Sequence, residues 1–156
     1  MSTDNKLTDV LNDLIKINND RTKGYVNAAE ESGSIDVDLQ AVFNKMADQS
    51  RKFAAALTSE VGKLGGEPAT GTSASGSIHR AWLDVKGTFT GKNRQAILDS
   101  CEFGEDAAQK AYRTALGSDA EISADTRQII TDQQESLKTS HDTIKKLRDA
   151  QKAVDA

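Results

Sequence analysis

The sequence predicts an all-α protein, a bundle of four long helices, and three observations support that prediction. Apolar residues recur at spacings of three and four through four separate stretches, the period of a helix that buries one face. No stretch shows the period-two alternation of a half-buried strand. The single proline, Pro68, falls in a glycine-rich break between two of the stretches, where it interrupts no helix.

The first helix is expected over about residues 5–32. Leu7, Val10, Leu11, Leu14, Ile17 and Tyr25 form its stripe, and Ala28 and Ala29 extend it. Ser32-Gly33 ends it, because glycine accepts the left-handed conformation that commonly follows a helix. Asp36 caps a second helix over 37–64, striped by Leu39, Val42, Phe43, Met46, Ala47, Phe53, Ala54, Leu57, Val61 and Leu64. Gly65-Gly66 and Pro68 stop it. A link this short makes the first two helices antiparallel neighbours. A third helix is expected over 92–116, with Ile97, Leu98, Cys101, Ala108, Tyr112 and Leu116 inward and Gly117 closing it. Ser123 caps a fourth over 124–152, striped by Ile129, Ile130, Leu137, Ile144 and Leu147. Lys145, Lys146 and Arg148 fall in its last turns, beside the negative end of the helix dipole.

The connections are uneven. The first and third are short, whereas the second runs from about Gly65 to Gly91. A connection of that length can return the chain to the other end of the bundle, so that helix three runs parallel to helix two. That is the arrangement of ferritin-like bundles; up-down bundles have no such crossover. Within the crossover, Ser77 can cap a short helix over about residues 78–86, with Ile78, Trp82 and Val85 on one side and Phe89 just beyond. The segment reads as a plug laid over the bundle and anchored by Trp82, with His79 and Arg80 outward or bonded to carboxylates. A lone histidine with no cysteine or second histidine nearby is a poor zinc signature.

Length suits one domain over residues 1–156. A net charge of −4 and a pI near 5.2 argue against a nucleic-acid surface, which needs clustered lysine and arginine. No apolar run approaches the ~18–20 residues that cross a bilayer, so no membrane partner is expected. The start, "MSTDNKLTDV", lacks the basic and apolar regions of a secretion signal, and the single Cys101 cannot form an internal disulfide. These features predict a cytoplasmic protein.

A ferritin-like arrangement invites one specific chemical test. Its di-metal centres take a Glu from each of two helices and a Glu-x-x-His pair from each of the others, all inward near mid-helix. Here every stripe is interrupted near that depth: Asn18, Arg21 and Thr22 on helix one, Ser50 on helix two, Glu105 on helix three, and Gln134 beside Gln133 on helix four, with His141 a turn later. Four breaks at one depth predict a polar layer across the core, whose members must satisfy one another because an unpaired buried polar group costs ~1–3 kcal/mol. Glu105 is expected to pair with Arg21 and the Gln134 amide, and His141 to bond Tyr25 or a backbone carbonyl. Glu-x-x-His occurs nowhere; its nearest approximation is Asp48-Gln-Ser-Arg51, where arginine cannot ligate. The alternative is a degenerate iron or manganese site, metal-binding or oxidoreductase, with Glu105, His141 and Glu102 as ligands. Glu102 and Asp106 are otherwise expected at solvent or an interhelical seam. Cys101 lies on the apolar stripe and reads as packing, and "GTSASGS" lacks the lysine and spacing of a phosphate-binding loop.

Several pieces carry a resemblance: "LNDLIKINNDRTKGYVNAAE" (Leu11 to Glu30), "FAAALTSEVGKLGGEP" (Phe53 to Pro68), "GSIHRAWLDVKG" (Gly76 to Gly87) and "CEFGEDAAQKAYRTAL" (Cys101 to Leu116). In these the chain resembles a bacterial family of uncharacterised four-helix-bundle proteins, classed as a domain of unknown function and placed with ferritin-like folds. The likeness covers nearly the whole chain, more loosely in helix four. It implies the fold, and no established activity. Family members tend to carry Glu three residues before the helix-one tyrosine, where this chain has Thr22, so half of any pair with Glu105 is missing. The expectation is a non-catalytic bundle without catalytic residues or cofactor, self-associating as a homo-oligomer, and either stress-related or a protein-interaction module.

Overall fold

Four helices carry the four stripes: α1 Thr3–Ser32, α2 Val37–Lys63, α3 Arg94–Leu116 and α4 Ala124–Asp155. The computed structural model describes residues 3–32, 36–72 and 94–155, and no strand occurs among them. The ends form for local reasons. The Asp36 side chain accepts a hydrogen bond from the Leu39 amide at 2.9 Å, which caps α2. Gly65, at φ 74°, supplies the left-handed turn past its C-terminus. The Ser123 hydroxyl accepts from the Thr126 amide at 3.3 Å at the head of α4.

Contacts between helices fix their directions. Lys6 reaches Asp119 at 3.0 Å while Arg21 meets Glu105, so α1 and α3 are antiparallel. Thr126 donates to Glu60 at 3.1 Å and Ser140 to Gln49 at 3.0 Å, so α2 and α4 are antiparallel too. Since α1 and α2 form a hairpin, α2 and α3 run parallel. α2 closes beside the start of α1, where Gly66 lies so near Thr8 that a Cβ would come within 2.8 Å of its methyl. α3 begins at the other end, where Arg94 pairs with Asp36.

Residues 66–71 leave α2 along the outer side of α1. Asn12 donates to the Glu67 carbonyl at 3.0 Å and accepts from the Ala69 amide at 2.8 Å, and Asn19 donates to the Gly71 carbonyl at 2.9 Å. Asn12 and Asn19 stand two helical turns apart, so this short stretch advances roughly 10 Å along α1. The expected short helix over 78–86, its Ser77 cap, the plug residues His79, Arg80 and Trp82, Gly33, and Lys92 and Asn93 at the expected start of helix three lie outside the described residues.

The core forms two apolar clusters. One gathers Tyr25, Ala28, Leu39, Phe43, Ala47, Ile97, Leu98, Cys101 and Ile144. The other gathers Leu7, Leu11, Leu14, Leu57, Val61, Ala108, Tyr112, Ile130 and Leu137. Four details differ from the sequence reading. Ile15 is also buried, and Ala115 rather than Leu116 closes the α3 stripe. Ile129 is only half-buried because Thr126, Ile130, Gln133 and Leu137 set the inward direction of α4. α4 runs on to Asp155, so Lys145, Lys146 and Arg148 sit well before its end and gain little from its dipole.

Asn12→Ala removes both hydrogen bonds that seat residues 67–69 and is expected to lower stability by about 1–2 kcal/mol in urea unfolding. Gly66→Ala, which forces Thr8 and Val61 to move, is expected to cost about 1–3 kcal/mol in the same measurement.

Candidate functional site

Arg21 stands on α1 between Ile17 and Tyr25, on the stripe itself, so its guanidinium enters the core between the two apolar clusters. It is fully buried. Its Nε and Nη2 grip both carboxylate oxygens of the equally buried Glu105 on α3, the Nη2 bond measuring 3.0 Å. Nη1 donates to the Ser50 hydroxyl of α2 at 2.8 Å, and Ser50 passes its own proton to the Met46 carbonyl at 3.0 Å. The guanidinium also lies 5.2 Å from the centre of the Tyr25 ring. Three helices thus meet on one cation.

One turn below, a second chain of bonds joins all four helices. Asn18 donates to the Leu14 carbonyl at 2.9 Å and to the Tyr112 hydroxyl at 2.8 Å. Tyr112 donates to Gln133 at 2.6 Å, and the Gln133 amide reaches the Phe53 carbonyl at 3.3 Å.

Burial controls the protonation of these groups. Desolvation alone would lower the pKa of Arg21, but Glu105, with smaller effects from Tyr25 and Tyr112, holds it above its ordinary value. Burial and then Glu105 push the Cys101 thiol well up, and burial likewise raises Tyr25 and Tyr112. Cys101 is therefore a packed thiol with no tendency to ionise, not a nucleophile.

Of the layer expected from sequence, Arg21, Ser50 and Glu105 are buried together, and Asn18 is buried one turn below them. Thr22 is not among them: it is half-buried and donates back to the Asn18 carbonyl of its own helix at 2.8 Å. Gln134 is half-buried and bonds to Gln109 through its backbone, not to Glu105. Gln133 takes the inward place, because the rotation of α4 turns it and not its neighbour toward the Tyr112 hydroxyl. The Asp48–Arg51 approximation to a ligand pair is an exposed ion pair on α2.

The three alternative metal ligands separate. Glu105 is committed to Arg21. Glu102 and His141 instead meet outside the core, on the seam between α3 and α4, and Asp106 joins them there. His141 Nε2 is 2.6 Å from Asp106 Oδ1 and 3.8 Å from Glu102 Oε1, so among the described residues it turns to carboxylates instead of the expected Tyr25 or carbonyl. Arg148 pairs with the other oxygen of Glu102. The i, i+4 spacing of Glu102 and Asp106 was the available sequence signal; what joins them to His141 is the register of α3 against α4.

A family model described as a domain of unknown function (DUF2383) matches residues 6–118, which takes in α1 to α3 and stops short of α4. The Arg21–Ser50–Glu105 centre lies within that match, whereas Gln133, His141 and Arg148 lie beyond it. Comparison with curated proteins gives no match. No helix among the described residues is long and apolar enough to cross a membrane.

Glu105→Ala leaves the Arg21 charge buried and unpaired and is expected to cost about 3–5 kcal/mol, while the double variant Arg21→Met, Glu105→Leu recovers most of that loss. Urea unfolding of the three proteins checks this. Alkaline pH tests the raised groups together. Above the ordinary thiol value of 9.0, the unfolded chain releases protons that Cys101, Tyr25 and Tyr112 keep in the fold, so stability declines as pH rises. The melting temperature is expected to be level between neutral pH and that value and to fall above it.

Proposed function

The chain belongs to this domain-of-unknown-function family (DUF2383), and from that premise we propose that it is a non-catalytic, ferritin-like helical bundle that acts as a protein-interaction module. One observation carries the reading: the centre where a ferritin-like protein would hold metal already contains a cation, the Arg21 guanidinium, neutralised by Glu105 and bonded to Ser50. Two metal ions would normally need about six N or O ligands; this centre offers one carboxylate, and an arginine uses it. The parallel course of α2 and α3 supports the ferritin-like arrangement. The family resemblance supports a bacterial origin and a stress-related role, and the lone cysteine and polar N-terminal stretch support a cytoplasmic setting.

The interaction surface in this proposal is the α1–α3 face, and its occupant is a second copy of the chain. Phe103 is 57% exposed, unusual for so large an apolar side chain in α3. It borders a groove of about 620 Å³ whose floor is Val10, Leu14, Ile17, Ala107 and Ala111. Asp13, Lys16 and Lys110 edge the same groove, so one patch holds a knob, a recess and both signs of charge. A two-fold interface needs that self-complementarity, because each copy presents the same patch to the other.

Ferrous iron in aerated buffer is expected to oxidise no faster with the protein than without it, followed by the absorbance of ferric iron. A clear acceleration would overturn the non-catalytic reading. In sedimentation velocity the protein is expected to be a dimer at micromolar concentration and Phe103→Ser a monomer with an unchanged melting temperature. A monomeric parent protein would sink the self-association.

A further inference from the structure

We propose that Glu102, Asp106 and His141 form a mononuclear site for a divalent transition metal of the zinc type, which ties α3 to α4. One ligand atom from each residue lies within 4.8 Å of the other two. A tetrahedral zinc ion at its usual bond lengths holds ligands about 3.3 Å apart, between the 2.6 Å and 3.8 Å that separate Nε2 of His141 from its two carboxylates. Two carboxylates and one imidazole are a donor set suited to zinc, with a fourth position open to water.

Two further features point to a cation at this spot. Glu102 is only 9% exposed, and while Arg148 holds its Oε2, its Oε1 faces Nε2 of His141 beyond hydrogen-bonding distance. That oxygen and the imidazole form a wide ion pair, which an ion bound between them would draw together. The surroundings also carry more negative charge than they neutralise. Glu102, Asp106 and Asp142 all approach His141, Asp149 takes up another part of Arg148, and Arg148 is the one cation in contact with the group among the described residues. Asp142 Oδ1 stands 3.4 Å from His141 Nδ1, on the side of the ring away from the proposed metal. A metal-bound histidine commonly rests its other nitrogen on a carboxylate, which fixes its tautomer and orientation, and Arg148 plays the same supporting part for Glu102.

Binding replaces the proton between Nε2 and Asp106 with the metal, so one proton leaves for each ion bound when that nitrogen starts protonated. The site is independent of the mid-core centre and of the non-catalytic reading. Iron oxidation by the protein would overturn that reading and leave this site standing, and the reverse holds for failure to bind zinc.

The test is titration of chelator-treated protein with Co²⁺ and then Zn²⁺, reading the visible cobalt bands, the heat of zinc binding and the melting temperature. The expected result is one ion per chain, cobalt bands abolished by zinc, and a higher melting temperature with metal. His141→Ala and Asp106→Asn should each weaken zinc by at least about tenfold, since even supporting residues around a metal contribute that much. Both positions lie at the seam's surface, and their metal-free melting curves check that they fold. His79→Ala removes the only other histidine and should bind like the parent. Absence of binding, undiminished binding in His141→Ala, or loss of binding in His79→Ala would each overturn the proposal.

Discussion

The buried pair of Arg21 and Glu105 is the constraint around which the bundle is arranged. Removing two charges from water costs several kcal/mol per ion after relaxation, and attraction between them offsets that cost only when the geometry is good and the remaining donors are used. Here the carboxylate receives two parallel bonds, Ser50 takes a third donor, and Met46 sulfur and the Tyr25 ring face the rest of the guanidinium. Such an arrangement tolerates no sliding. A shift of α1 against α3 by one turn would set Arg21 against the apolar side chains of one cluster and leave Glu105 bare. The pair adds little net stability over a hydrophobic filling of the same space; its effect is on register.

Register is what the surrounding packing lacks by itself. The apolar stripes above and below the pair set Leu, Ile and Ala at the same helical spacings beside a few larger side chains such as Tyr25, Phe43 and Tyr112, and that spacing alone does not say which turn meets which. The Asn18–Tyr112–Gln133 chain repeats the constraint one turn away and extends it to α4 and to the α2 backbone at Phe53. Together the two layers index all four helices to a common depth. That indexing also brings Glu102 and Asp106 of α3 opposite His141 of α4, which share no sequence motif.

This explains which parts were legible in the sequence. Stripes, caps and the long second connection depend on local spacing and on the preferences of Asp36, Gly65 and Ser123, all of which act within a few residues. The depth of the polar breaks was legible for the same reason, since it follows from counting along each helix. Choosing between Gln133 and Gln134 was not, because both lie near the Ile130–Leu137 stripe and the choice depends on how α4 is rotated against Tyr112. Asn12 and Asn19 gave no signal either: an asparagine on an outer helix face reads as solvent-exposed until a strand of loop is laid against it. Helical spacing alone points His141 toward Tyr25, because spacing does not fix the rotation of α4 about its own axis.

The location of negative charge follows from the same arrangement. A carboxylate in the core must bring its own cation, and Glu105 does so with Arg21, which leaves the centre electrically closed. Carboxylates on the seam need no such partner, because water reaches Asp106 and Asp142 and screens them. Glu102 is the intermediate case: too buried for water to serve it fully, and supplied with one arginine for one of its two oxygens. The field of these carboxylates is therefore strongest where burial is partial, at Glu102, while the open edge at Asp106 keeps the seam accessible from solvent.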